Sequence, residues 1–174
     1  MTDSLALTLM RVEAEFRPLL FEGDTQAVSS AVIGWVESGL TTRVVRGRKM
    51  RTLGGLFDEF AAVLQFPLYF GENEDAFNEC IAELETLSAG KGYVVTITEP
   101  DEILTDAGAE AFEWLLRSLE SAAEELAQSV ELSEWWDRRA VPFHVVLAGE
   151  RDVVEAAARQ WSSVGAELVR LGQP

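Results

Sequence analysis

The chain contains 174 residues, of which 48% are hydrophobic and 25% are charged, a composition typical of one globular domain rather than a disordered or fibrous chain. Fourteen basic and 30 acidic residues give a net charge of −16, which disfavours binding to nucleic acids or to anionic membranes. The single cysteine excludes an internal disulfide, and the single histidine leaves zinc sites and Ser-His or Cys-His relays without their usual residues.

Hydrophobic periodicity predicts short strands that alternate with helices along the whole chain. The predicted strands occupy residues 17–21, 42–46, 93–98 and 143–147. The predicted helices occupy residues 25–37, 52–65, 74–87, 106–128 and 152–163, with Thr25 as the N-cap of the first. Residues 166–171 fit either a last helical turn or an edge strand. Since the strands are short and apolar, we expect a single α/β domain, residues 1–174, with a parallel sheet covered by helices.

The N-terminus has acidic residues early and no basic start, and no apolar run approaches the roughly 18 residues of a membrane span. We therefore expect a cytoplasmic protein.

Charge is concentrated in one part of the sequence. The segment from Glu72 to Arg138 contains 18 acidic and three basic residues, so it carries −15 of the net −16. The stretch 43–51 holds the main group of basic residues. We expect these to pair with the acidic segment or to face solvent, in preference to contacting nucleic acid.

The predicted helix after Asn73 has an apolar stripe that fixes its orientation. On another flank, Asp75, Glu79 and Glu83 follow at four-residue spacing and should stack along one exposed face. Such a face can be simply solvated, or it can be a negative surface that meets a positive partner.

The connection before this helix, residues 66–73, contains three aromatic residues, a proline and a glycine. We expect Gly71 to allow a tight turn and Asn73 to cap the helix. A tyrosine beside an acidic helix is typical of an interface anchor, although aromatic residues in such a turn can also close the core. Both interpretations of Tyr69 stay open at this point.

Residues 67–80, with the sequence Pro-Leu-Tyr-Phe-Gly-Glu-Asn-Glu-Asp-Ala-Phe-Asn-Glu-Cys, resemble the motif of the barstar family of intracellular ribonuclease inhibitors. The family pattern is roughly Pro-x-Tyr-[Tyr/Phe]-Gly-x-Asn-x-Asp-Ala-[Leu/Phe]-x-[Asp/Glu]-Cys. The likeness continues in order from the strand at 42–46 to the strand at 143–147. It assigns residues 41–149 to a barstar-like core, 1–40 to an N-terminal extension and 150–174 to a C-terminal extension.

This resemblance implies a three-layer α/β fold in which helices pack on a parallel three-stranded sheet. It also implies that the acidic helix and the preceding turn block the cationic active site of a basic microbial ribonuclease, as in an immunity protein or antitoxin. The contact residues implied by motif position are Tyr69, Gly71, Asn73, Asp75, Asn78 and Glu79. No cofactor, metal, nucleic acid or membrane is implied, and the free protein is expected to be a monomer.

The sequence differs from the prototype of the family at two of these positions. Position 78 is Asn where the prototype has Trp, so an aromatic contact is replaced by an amide. Position 79 is Glu where the prototype has Asp, which moves the carboxylate by about 1.5 Å, one C–C bond. An acidic insert at 121–140 also lengthens the chain.

The remaining candidates favour structural roles over catalysis. His144 lies inside an apolar strand and Cys80 on the buried stripe of a helix, so we interpret both as core residues and do not expect an enzyme. Trp135 and Trp136 can either form a lid over the insert or expose a second interaction patch. If they expose a patch, the alternative function is a barstar-like scaffold reused as a non-nuclease interaction or regulatory module.

Overall fold

The computed structural model describes residues 2–133, 135 and 137–172. Within them, five strands form one parallel sheet in the order β2-β3-β4-β1-β5. The strands are β1 (Leu19–Glu22), β2 (Thr41–Arg46), β3 (Tyr93–Thr98), β4 (Phe143–Gly149) and β5 (Val169–Arg170). The α/β fold and its parallel three-stranded core, β2-β3-β4, are confirmed.

Six α-helices connect or flank these strands in the described residues. They are α1 (Thr2–Leu9), α2 (Thr25–Glu37), α3 (Leu53–Leu64), α4 (Glu74–Glu83), α5 (Ala109–Leu126) and α6 (Arg151–Ser163). Short 3₁₀ turns follow β2 at Gly47–Lys49 and β3 at Pro100–Glu102. None of the helices described here is long and apolar enough to cross a membrane.

Helices cover both faces of the sheet, because the apolar side chains of each strand alternate between the faces. On one face, α1 and α2 pack through Leu9 and Trp35 against Val94 and Val146. On the other face, α3, α4, α5 and α6 enclose the larger part of the core around Val145. The acidic helix α4 belongs to this second layer.

The two terminal additions extend the sheet rather than only covering it. The N-terminal addition supplies α1, β1 and α2, and the C-terminal addition supplies α6 and β5. β1 pairs with β4 on one side and β5 on the other, so the segment 166–171 contains an edge strand and not a helical turn.

Several local predictions are corrected. The N-cap of α2 is Asp24, not Thr25, because the Asp24 carboxylate accepts a hydrogen bond from Ala27 N at 2.8 Å. The helix predicted over 74–87 ends at Glu83, since Leu84 adopts a left-handed conformation with φ 45°. Further acidic residues at the negative end of a helix disfavour its continuation. Helix α1 was not predicted.

The edge strand β2 is protected by side chains of the basic run. Buried Glu59 accepts hydrogen bonds from the backbone N–H of Arg46 at 3.0 Å and from its guanidinium at 2.7 and 2.9 Å. The carbonyl of Thr42 accepts one from Arg43. The backbone groups of every second residue in a strand point to the same side, so those of Thr42 and Arg46 share one side of β2. Because these hydrogen bonds occupy the open side of the edge strand, they oppose its pairing with another strand.

Much of the basic run is paired within the protein, as predicted. Arg51 binds Glu102 and Asp106, both at 2.9 Å, and Arg48 lies 3.8 Å from Glu99. Three acids of the segment 72–138 are therefore compensated at the carboxyl end of the sheet. Those of α4 are not among them.

Candidate protein-binding site

An aromatic cluster holds α4 and the preceding connection in place. The Phe77 ring of α4 lies 5.2 Å from the rings of both Phe60 in α3 and Trp114 in α5, measured between centroids. Phe66 of the connection lies 5.8 Å from Phe77 and 5.1 Å from Phe70. Two of the three aromatic residues of the connection therefore close the core, and only the third points outward.

That third residue is Tyr69, whose side chain is 72% exposed. Its hydroxyl donates a 2.7 Å hydrogen bond to Oε1 of Glu85, just beyond α4. This bond, together with partial desolvation and the charge of Glu85, raises the pKa of Tyr69 to about 12. The hydrogen bond to Glu85 holds the protonated phenol at the surface.

The turn between Tyr69 and α4 depends on a close contact between Gly71 and Asn73. The Asn73 amide donates to the Gly71 carbonyl at 3.2 Å, and its oxygen caps α4 by accepting from Ala76 N at 2.9 Å. A Cβ at Gly71 would lie 2.8 Å from Nδ2 of Asn73, so a larger residue would disturb the cap. The left-handed residue of the turn is Glu72, with φ 49°, and not Gly71.

We call the exposed carboxylates of Asp75, Glu79 and Glu83 on α4 the acidic ridge. Within the described residues, no basic group lies within salt-bridge distance of any of the three. The sequence from Glu72 to Glu85 contains six acidic residues and no basic one. Asp75 lies in the first turn of α4, where the helix dipole favours it, but Glu83 lies in the last turn, where the dipole opposes it.

Tyr69 borders the acidic ridge. A shallow cleft of about 20 Å³ is lined by Tyr69, Glu79, Cys80 and Glu83, among others. Burial, reinforced by the nearby Glu83 and Glu79 carboxylates, raises the pKa of the Cys80 thiol. Cys80 is only 8% exposed, as expected for a structural thiol.

All six residues predicted from the motif are exposed, and they lie together on the turn and on α4: Tyr69, Gly71, Asn73, Asp75, Asn78 and Glu79. Sequence reasoning missed Glu85, which fixes the Tyr69 ring. It fell inside the helix predicted over 74–87, and the early end of α4 is what brings it to Tyr69. The one feature of the sequence that pointed to Glu85 is its place at the end of the acidic run from Glu72.

Two other candidates, His144 and Trp135, belong to other elements of the fold. His144 is buried, as expected, and its Nε2 lies 3.0 Å from the Arg11 carbonyl. Trp135 is 89% exposed, in a loop closed by backbone hydrogen bonds between Val130 and Arg138. Trp136 lies outside the described residues. Across the ranges that the structure describes, no group of three or more His, Cys, Asp or Glu side chains is arranged to hold a metal ion.

The chain was compared with protein-family models and with curated proteins. A family model described as Barstar (barnase inhibitor) matches residues 40–148. No curated protein matches the chain.

Solved structures of larger archaeal proteins share the fold. The ORC2 protein of Aeropyrum pernix, in ADPNP-ADP complexes, matches with a TM-score of 0.59 and 14% identity, over 98% of this chain and 46% of that one. A Walker-type ATPase of Pyrococcus abyssi matches with a TM-score of 0.56 and 12% identity, over 98% of this chain and 52% of that one. Cdc6p of Pyrobaculum aerophilum matches with a TM-score of 0.54 and 12% identity, over 98% of this chain and 43% of that one. The chain spans about half the length of these proteins, and at such identities the likeness concerns the fold alone.

Proposed function

This chain belongs to the barstar family, and we propose that it inhibits a basic microbial ribonuclease by covering the cationic active site of the enzyme with the acidic ridge and the turn before it. The observation that carries the proposal is that Asp75 and Glu79 are exposed and have no ion-pair partner within the described residues. Carboxylates that are not neutralised internally remain free to face Lys and Arg side chains of a partner.

The ridge suits a partner that normally holds RNA. A ribonuclease cleft contains cationic side chains that bind phosphate groups, and exposed carboxylates can pair with the same side chains. The net charge of −16 would also attract a basic enzyme over a distance and speed the encounter at low salt.

Four residues of the surface contact the enzyme directly in this proposal, while Gly71 and Asn73 hold the turn. Asp75 and Glu79 face the cationic groups of the cleft, and Asn78 offers an amide for hydrogen bonds. Tyr69 packs at the rim, with its ring fixed by Glu85 before binding. Holding such a side chain in place beforehand reduces the entropy lost on association.

Inhibition of this kind needs no chemistry from the chain, and we propose that it is not an enzyme. Nucleotide hydrolysis, suggested by the shared fold, is not favoured by the residues. The sequence lacks the Gly-x-x-x-x-Gly-Lys-[Ser/Thr] motif of a phosphate loop. In the first strand-to-helix turn, Glu22 instead pairs with Arg151 at 2.9 Å and Arg170 at 3.5 Å. At the same turn the Asp24 carboxylate caps α2, and so occupies the helix N-terminus where a phosphate would bind.

The direct test is titration of purified basic microbial ribonucleases, barnase among them, with the purified chain. We expect stoichiometric loss of RNA cleavage by at least one enzyme, with association slowing as salt is raised. Full activity of every enzyme at a large molar excess of the chain would contradict the proposal.

A charge-matched pair of variants separates local contacts from net charge. Asp75→Ala with Glu79→Ala should weaken inhibition strongly. Glu131→Ala with Glu155→Ala removes the same charge from other exposed positions and should leave inhibition nearly unchanged. Equal effects of both variants would mean that only the overall field matters.

A second candidate function is a barstar-like scaffold that acts as a non-nuclease interaction module through the loop 130–138. The observation that favours it is the exposure of Leu132, 66%, and Trp135, 89%. Exposed apolar side chains at a loop tip are typical of protein contacts. If a partner captured by the full chain is lost on Leu132→Ser with Trp135→Ser but kept by the Asp75→Ala, Glu79→Ala variant, this function would replace the first.

A further inference from the structure

A second concave site lies away from the acidic ridge, at the edge where three strands begin. This cavity has a volume of about 620 Å³, and its lining includes Leu19, Phe143 and Val169, the first residues of β1, β4 and β5. Its size falls within the range of small-molecule sites in proteins. The segment 12–17 and the end of α5 form its sides.

Part of the cavity wall is apolar and aromatic. The rings of Phe16 and Phe143 lie 6.5 Å apart between centroids with an interplanar angle of 30°, and Val141 and Ala127 continue this wall. Such a surface can bury the hydrocarbon body of a ligand, and the face of a phenylalanine ring attracts a cation.

The charges of the cavity are predominantly negative. Its one arginine, Arg17, is bound by Glu15 at 2.9 Å and lies 3.8 Å from Glu167. Glu13 and Glu124 also line the cavity, and neither has an ion-pair partner in the part of the chain that the structure describes. The lining thus carries three carboxylates against one arginine and the buried His144 ring, and Arg17, though it forms no salt bridge with Glu13, acts on it electrostatically.

We propose that this cavity binds a small organic cation, an amine or quaternary ammonium carried on an aromatic or alkyl body. The body packs against Phe16 and Phe143, and the cationic group lies near Glu13 and Glu124. A neutral ligand of the same shape would gain only the apolar contacts, and an anion would be repelled by the excess of carboxylates over basic groups in the lining.

About half of the cavity lining belongs to the N-terminal addition. Residues 12–17 lie before the family match, which begins at residue 40, so the motif that identifies the acidic ridge does not include them. Since the two sites share no lining residue, a ligand in the cavity leaves the ridge free. Binding here is therefore measurable whether or not the chain inhibits a ribonuclease.

The test is calorimetric titration of the full chain with phenethylamine, with 2-phenylethanol as a neutral analogue and phenylacetate as an anionic one. We expect phenethylamine to bind most tightly and phenylacetate most weakly. Equal affinity for the amine and the alcohol would overturn the assignment of a cation. Absence of binding by the amine at millimolar concentration would overturn the site.

Variants locate the binding. Glu13→Gln with Glu124→Gln should weaken phenethylamine about fivefold, as expected for two partly solvated ion pairs, whereas Glu131→Gln outside the cavity should not. Ala127→Phe, which fills the cavity from its wall, should abolish binding while thermal unfolding remains cooperative. Unchanged affinity in both cavity variants would place the amine elsewhere and refute the proposal.

Discussion

The like charges of the acidic ridge should lower the stability of the free protein, and a single neutral substitution tests this. Glu79 lies one turn from both Asp75 and Glu83, and like charges at this spacing destabilise a helix by about 0.2–0.5 kcal/mol per pair. Glu79→Gln removes both repulsions and has nearly the same helix propensity, so the free energy of unfolding should rise by about 0.4–1 kcal/mol.

The assay is thermal and urea unfolding of parent and variant at low and high salt. For a domain of this size the gain corresponds to a rise in Tm of about 1–4 °C at low salt. It should shrink in about 1 M salt, where the Debye length falls to about 3 Å, below the spacing of the charges.

A control on another helix should give the opposite sign. Glu113 of α5 lies 3.8 Å from Arg117, four residues later, so Glu113→Gln removes an attraction and should slightly destabilise the protein. If Glu79→Gln is also destabilising, or its effect is independent of salt, then Glu79 makes an internal contact and the reasoning about an unpaired ridge is wrong.

Three further predictions concern titrating groups. Glu59→Gln should lower the free energy of unfolding by about 1.5–3 kcal/mol at neutral pH, because buried Glu59 accepts charge-assisted bonds from Arg46. Those bonds hold the pKa of Glu59 below its ordinary 4.5. The difference in the free energy of unfolding between parent and variant, measured with urea, should therefore persist above pH 4.5 and narrow as the pH falls below it. Glu85→Gln should bring the pKa of Tyr69 down from about 12 toward 10, measured by ultraviolet absorbance, and an unchanged titration would show that the hydrogen bond does not form in solution. Burial lowers the pKa of His144 from 6.5, so the free energy of unfolding of the parent should fall as the pH drops below 6.5. The His144→Gln variant should lack this part of the pH dependence. Identical dependence of the unfolding free energy on pH in parent and variant would contradict the prediction.

Much of the fold could be predicted because the strand patterns are local. The apolar runs that became β3 and β4 are too short and too rich in β-branched residues for helices. The apolar stripe of α4 likewise fixed its buried face, with Phe77 and Cys80 inward and Asp75 outward. Those predictions depend only on periodicity.

What the sequence could not show depends on contacts between distant segments. The end of α4 is set by a left-handed Leu84, although the apolar spacing continues to Leu87, and Glu85 reaches Tyr69 only because of that turn. The cavity between the N-terminal addition and α5 likewise joins residues more than 100 positions apart, such as Phe16 and Phe143. No local pattern predicts such pairs.

The most direct test of the central claim is steady-state kinetics of a susceptible ribonuclease with RNA substrate at several fixed concentrations of this chain. If the acidic ridge occupies the active-site cleft, inhibition is competitive with RNA, and the inhibition constant rises strongly for the Asp75→Ala, Glu79→Ala variant. Inhibition that is noncompetitive, or that is equally strong in this variant, would contradict the account.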